Sequence, residues 1–273
     1  MSRRVFCVAT VALTVLSHPA GSYAQSPAAP ARWELSLDGQ VGVPTGSLQV
    51  RETTVVGTRL RLRGDLGVET SEALEAGAAY HITPSDAVRA TVLHYFLRGS
   101  STVDHPVAYN GEILGPGRLD SNLDFSRFSL AYERRLFGPA DGTSLIGSAG
   151  LTFVSLETKV HRNPENFTRQ ELPVPILGVR LAHPLSSGWG LTASIFGGAL
   201  PRVDSLRQEG GTIYLTQSHA DAELGLTYAL TSALQITAGY HFTYFFQHET
   251  SHEDDNRIEL IDNAFRVGLT LRF

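Results

Sequence analysis

Two stretches of the sequence gather side chains that could do chemistry. Ser218-His219-Ala220-Asp221 offers a nucleophile, a base and an acid, the set that acyl transfer uses. His248-Glu249 and His252-Glu253-Asp254-Asp255 offer imidazoles and carboxylates that could activate a water molecule or hold a divalent cation. A third group is basic: Arg51, then Arg59, Arg61 and Arg63 at period two around Leu60 and Leu62. In an extended chain those last three guanidinium groups stand on one side, where they could pair bidentately with phosphate oxygens. No phosphate loop, dinucleotide-binding glycine pattern or zinc-protease helix is present.

Whether such groups converge depends on the elements that carry them, and the pattern from Trp33 onward is that of strands. Trp33, Leu35, Leu37, Gly39 and Val41 alternate with Glu34, Ser36, Asp38 and Gln40. Leu234, Ile236, Ala238, Tyr240, Phe242, Tyr244 and Phe246 alternate with a polar set that includes His241, and Ala222, Leu224 and Leu226 alternate with Asp221, Glu223 and Gly225. In this reading the apolar face stays apolar to the strand end. Neighbouring strand residues point to opposite faces, so Ser218 and His219 do not converge simply. No apolar run after the first residues approaches the roughly 20 residues of a spanning helix. With 42% hydrophobic residues and a mean hydropathy of -0.04, a multi-helix membrane protein is excluded.

Turn chemistry counts the strands. Short turns are expected at Thr83-Pro84-Ser85-Asp86, Gly138-Pro139-Ala140-Asp141-Gly142, Ser186-Ser187-Gly188 and Thr231-Ser232-Ala233. Long polar loops are expected over 44–72, 100–117, 162–169, 200–212 and 248–257. Short turns on one rim and long loops on the other describe a transmembrane antiparallel up-and-down β-barrel of ten strands, eight or twelve being the alternatives. Twelve would follow if Val50 to Val56 and Thr58 to Arg63 formed a spanning hairpin. A charge facing lipid at mid-membrane costs about 2–4 kcal/mol, so the charged faces belong in the lumen. That lumen set is Glu34, Asp38, Glu75, His81, Arg89, Arg127, Glu133, Arg180, Asp221, Glu223, His241, Arg266 and Arg272. Both signs are present, as in an interior filled by ion pairs, although a narrow pore or a ligand site remains open.

The first residues read as an export signal: Arg3 and Arg4, the apolar run Val5 to Leu16, then Ser22-Tyr23-Ala24 with small residues at the cleavage positions. Residues 1–24 are therefore expected to be removed, 25–31 to form a short disordered leader, and 32–273 to form the barrel. Cys7 lies in the apolar run, so thiol chemistry and disulfides are excluded from the mature chain. The net charge of -5 becomes more negative without the two arginines of that segment, which argues against nucleic-acid binding.

The last strand carries a resemblance. Phe265, Val267, Leu269, Leu271 and Phe273 alternate with Arg266, Gly268, Thr270 and Arg272. This pattern resembles the carboxyl-terminal signal by which bacterial outer-membrane β-barrel proteins are recognised by the barrel-assembly machinery. The resemblance implies an outer-membrane location and, as partners, that machinery, membrane lipid and lipopolysaccharide; the row Arg59, Arg61 and Arg63 could contact its phosphates or form the ordinary charged face of a hairpin above the membrane. A monomer without cofactor or metal is expected. The leading expectation for function is a structural or surface-interaction role in the envelope, with a narrow channel for small solutes second. An outer-membrane hydrolase of lipid-deacylase or protease type is third. The acidic and histidine cluster at 248–255 resembles omptin-like proteases in its rim position, yet it sits in one loop rather than on facing strands, as a solvated acidic loop would.

Overall fold

The computed structural model describes residues 32–273 apart from 53–54, 140–141, 162, 167–171, 209–211 and 253–254. The expected export signal over 1–24 and leader over 25–31 lie outside the described residues. In chain order the strands are β1 (Trp33–Gln49), β2 (Leu60–Arg61), β3 (Ser71–His81), β4 (Asp86–Val103), β5 (Val107–Tyr109), β6 (Glu112–Leu114) and β7 (Gly117–Phe137). They continue as β8 (Ser144–Val160), β9 (Asn163–Asn166), β10 (Val174–Pro184), β11 (Trp189–Gln208), β12 (Thr212–Ala229), β13 (Leu234–Thr250) and β14 (Asp255–Arg272). Ten of them close a ring in the order β1, β3, β4, β7, β8, β10, β11, β12, β13, β14, every pair antiparallel. The seam between β14 and β1 runs from Glu34 opposite Arg272 to Gln49 opposite Arg257. A closed sheet has no free edge, which is what lets strands sit in lipid.

The short turns at 83–86, 186–188 and 231–233 are where the sequence places them, and local chemistry explains them; of the turn expected over 138–142, residues 140 and 141 lie outside the described residues. Thr83 Oγ1 accepts from the backbone N–H of Ser85 and Asp86, and Thr231 Oγ1 accepts from Ala233 and Leu234. Ser187 and Gly188 both take positive φ, and Trp189 N–H donates to Ser186 O, the geometry that matches the twist of a hairpin. Outward-facing Trp33 and Trp189 mark this rim, packed on Tyr80 and Tyr228 at 4.9 and 4.8 Å. We call this end the lower rim.

The opposite end differs from the expectation of long loops. Residues 200–208 and 212 continue β11 and β12, paired through an irregular register up to Gln208 opposite Thr212, and 248–250 and 255–257 continue as paired strand in β13 and β14. Likewise β4 runs up to Val103 and β7 starts at Gly117. The segment 50–63 adds no spanning hairpin among the described residues: Leu60 and Arg61 pair with Leu48 and Ser47 of β1, and Glu52 and Val55 form an isolated bridge with each other. Between β4 and β7, β5 and β6 form a hairpin about Asn110-Gly111, both with positive φ.

The strands extend because their alternation changes phase partway up. On the outer face of β7, Tyr132, Leu130 and Phe128 give way to Ser126, Asp124, Asn122, Asp120 and Arg118. Its inner face changes from Glu133, Ser129 and Arg127 to Phe125, Leu123 and Leu119, all three at most 1% exposed. Strand β8 turns Val154, Leu156 and Val160 inward with Glu157 and Lys159 outward, and β14 turns Ile258 and Leu260 inward with Glu259 outward. The expectation that the apolar face stays apolar to the strand end is thus corrected. Above the apolar belt the outside meets water, and the inside packs a core like that of a soluble domain.

The first connection completes that core. Leu60, Leu62, Leu66 and Val68 are fully buried against Leu97, Val103, Leu119, Leu123 and Val160 within one apolar cluster. Ser121 Oγ donates to Leu66 O at 2.9 Å, Ser101 Oγ to Asp65 O, and Leu62 N–H to Gly46 O. Gly67 has φ +67°, and a Cβ there would stand 2.3 Å from Ser100 O, so only glycine lets this backbone lie against β4.

Candidate functional site

The lumen holds most of the charged residues that the alternation points inward, arranged in three levels. Nearest the lower rim, Arg272 Nε donates to Glu34 Oε2 at 2.9 Å and Arg89 Nη2 to Glu34 Oε1 at 2.7 Å. Arg89 Nε also reaches Glu133 Oε1 at 2.9 Å, and Arg180 Nη2 reaches Glu133 Oε2 at 3.0 Å. These five side chains form a continuous ion-paired chain from β14 through β1, β4 and β7 to β10. Higher up, Arg266 lies 3.0 Å from Asp38, 2.8 Å from Glu75 and 3.7 Å from Glu223. His81, also placed in the lumen by alternation, sits at the rim with no side-chain partner among the described residues.

At the third level Arg127 grips Asp221 through two bonds of 2.6 and 3.1 Å, both residues at most 3% exposed. The aspartate also accepts from Thr243 Oγ1 at 2.9 Å. Thr243 accepts from Tyr95 OH, Tyr95 accepts from Gln40 Nε2, and Gln40 Oε1 accepts from His241 Nδ1 at 2.8 Å. His241 Nε2 returns to within 3.4 Å of Asp221 Oδ1, closing a ring of five side chains from β12, β13, β4 and β1. Ser71 Oγ donates to Asp262 Oδ1 at 2.7 Å just beside it. Gln40, Ser71, Tyr95, Thr243 and Asp262 were not singled out from the sequence. Their inward parity was readable, since Gln40 follows Asp38 by two and Asp262 precedes Arg266 by four, but charge alone had guided the search.

Above this level the lumen is apolar. Phe125 packs edge-on against Tyr95 and Phe245 at 5.7 and 4.9 Å. His219 is 3% exposed and lies 5.1 Å from the Phe245 ring, its two ring nitrogens without a hydrogen-bond partner among the described residues. Ser218, one residue away on β12, belongs to the outer face, so the Ser218-His219-Asp221 set does not assemble.

The upper-rim groups also separate. His248 Nε2 meets Asp255 Oδ1 at 2.7 Å, while Glu249 is buried on the inner face of β13. Glu253 and Asp254 lie outside the described residues. Arg59, Arg61 and Arg63 do share the outer face, with Leu60 and Leu62 turned inward, yet each has an acid beside it: Glu259 at 3.4 Å, Asp65 at 3.1 Å and Glu69 at 3.6 Å. Arg61 holds Asp65 by backbone and side-chain bonds, which keep that carboxyl below its ordinary pKa.

In the last strand Phe265, Val267, Leu269, Leu271 and Phe273 all face out and are 42–62% exposed. The backbone at Phe273 is tied to β1, its N–H donating to Trp33 O and its O accepting from Arg32 and Trp33 N–H. Exposed leucines, valines and aromatics continue around every spanning strand, a surface suited to lipid and not to water.

Against known proteins, no family model and no curated sequence matches this chain. Solved structures do. The outer-membrane protease OmpT of Escherichia coli matches with a TM-score of 0.56 at 11% identity, covering 88% of this chain and 97% of that one. The outer-membrane protein OprG of Pseudomonas aeruginosa matches at 0.40 with 9% identity, covering 89% and 97%. The translocator domain of the autotransporter NalP of Neisseria meningitidis matches at 0.39 with 14% identity, covering 90% of each chain. The fold is that of bacterial outer-membrane β-barrels, ten strands around.

Proposed function

We propose that this outer-membrane barrel is non-conducting and serves the envelope through the folded upper half that stands above its lipid-facing belt. The observation that carries the reading is the apolar cluster filling the upper lumen, with the first connection tucked inside it. Burying each leucine or valine there contributes about 1.5–3 kcal/mol, so opening a water path would cost many such terms at once. Below it, ion pairs bridge the polar lumen from wall to wall. Purified protein reconstituted in a planar bilayer is expected to show no steady current, and ohmic open-channel current from the unmodified chain would overturn the reading in favour of a solute channel.

The outward arginines give that upper half a place to meet lipopolysaccharide. Arg59, Arg61 and Arg63 are 47–74% exposed, and a phosphate can displace a carboxylate whose pairing with an exposed guanidinium is weakened by solvent screening. Reversing Arg59 and Arg63 to glutamate is expected to weaken lipopolysaccharide binding, and unchanged binding would remove this contact from the proposal.

A further inference from the structure

The lower lumen is not solid. Beside the rim chain, against the wall made by β7, β8, β10 and β11, lies a cavity of about 150 Å³. Its lining mixes Thr91, Ser148 and Ser194 with Glu75, Arg180 and Phe196. The three hydroxyls have no hydrogen-bond partner among the described residues, and they face open space in place of a neighbour. Arg180 uses one of its five donors, on Glu133, and its side chain is 32% exposed, so solvent reaches this wall. Glu75 accepts from Arg266 through Oε1, and no bond to Oε2 occurs among the described residues.

The charges around the cavity are sorted by depth. The rim chain has three guanidinium groups, Arg272, Arg89 and Arg180, for two carboxylates, Glu34 and Glu133. The next level has three carboxylates, Asp38, Glu75 and Glu223, around the single guanidinium of Arg266. The cavity lies between a positive mouth and a negative interior, a field that favours a molecule with its anionic end outward and its cationic end inward. An anion alone would meet Glu75 and Glu133, and a cation alone would meet Arg180 and Arg89. Phe196 and Ile176 provide an apolar wall between the two ends.

We propose that this cavity binds a small zwitterion of the α-amino acid class, its carboxylate on Arg180 with Ser148 and Ser194, and its ammonium on Glu75 with Thr91. The volume suits a ligand of about six heavy atoms, since an apolar cavity of similar size accepts benzene. A ligand that small binds weakly, with a roughly millimolar dissociation constant. Arg127, paired with Asp221, lies over the ring of the lining Phe196 at 5.2 Å, and the apolar cluster packs above that pair, so the cavity is a binding site and makes no path through the barrel. It is independent of the closed-lumen reading, which conductance tests separately.

The test is titration of the refolded full chain in detergent micelles with L-alanine, followed by the amide resonances of Thr91 and Ser194. Saturable shifts are expected, with acetate and ethylammonium weaker by about tenfold or more, because each forfeits one charge-assisted set of bonds. Arg180→Gln is expected to lose about tenfold, and heat-dependent gel mobility shows whether that variant is folded. Ser194→Leu, which fills the cavity without removing a charge, is expected to abolish the shifts. Absence of saturation by L-alanine, acetate binding as tightly as L-alanine, or full binding to Ser194→Leu would each overturn the proposal.

Discussion

On β7 the lower inner face carries Glu133, Ser129 and Arg127 behind outer Tyr132, Leu130 and Phe128, whereas the upper inner face carries Phe125, Leu123 and Leu119 behind outer Asp124, Asn122 and Asp120. One strand thus serves two solvents. In lipid the exterior must be apolar, so any polarity has to face in and must be paired there. Above the lipid the exterior meets water, and the hydrophobic effect can again act on the interior. The crossover, at Arg127 and Phe128 on this strand, marks where the surroundings change. It coincides with the ring of Asp221, Thr243, Tyr95, Gln40 and His241, where polar packing gives way to apolar.

If the upper half is a hydrophobic core, truncation there should be the most damaging change. Phe125→Ala is expected to cost about 3–5 kcal/mol, read as unfolding followed by Trp33 and Trp189 fluorescence in micelles. A loss below about 1 kcal/mol would mean the apolar cluster is loosely packed. The lower half should respond differently to single and paired changes. Arg127→Met strands the buried carboxylate of Asp221 and is expected to cost about 3–5 kcal/mol, while adding Asp221→Leu should restore most of it. A double variant as unstable as the single one would show that the pair does more than neutralise itself.

The boundary between the halves can be mapped with one residue type on one face. Leu130→Arg is expected to cost about 2–4 kcal/mol in lipid vesicles, and Asn122→Arg, eight residues along the same outer face, less than about 0.5 kcal/mol. Equal costs would move the lipid boundary. The smallest effect concerns the tucked connection. Bonds from Arg61 keep the Asp65 carboxyl below its ordinary value, so their stabilisation is present above the unfolded pKa and fades as pH falls through the folded one. Amide exchange at Leu62 and Val68 should therefore quicken on acidification, and Asp65→Asn should already be fast at neutral pH. An exchange rate independent of pH-driven protonation, after allowance for its intrinsic pH dependence, would detach Asp65 from the loop's order.

Much of this was legible along the chain, for reasons specific to each feature. Thr83, Thr231 and Ser187-Gly188 announce the short turns because their chemistry is local. The inward position of Asp38, Arg127 or Arg266 follows from parity alone. The polar runs over 200–212 and 248–257 looked like loops because an apolar exterior was required of every strand, a rule that holds only in lipid. The Asn110-Gly111 hairpin carried a strong local signal inside a stretch assigned to a loop. That Arg59 would find an acid was not readable, since Glu259 lies 200 residues from it in the chain, whereas Asp65 and Glu69 stand close to Arg61 and Arg63 along it.

By itself the sequence determined an antiparallel barrel of about ten strands, the lipid-facing belt and the side to which the lumen charges point, because period two and turn chemistry act between near neighbours. Only the tertiary structure decided which charges meet, that Leu60, Leu62, Leu66 and Val68 fold back into the lumen, and that a cavity remains beside Arg180. Those outcomes depend on shear and on contacts across the ring, where partners from distant strands share a level that no local pattern records.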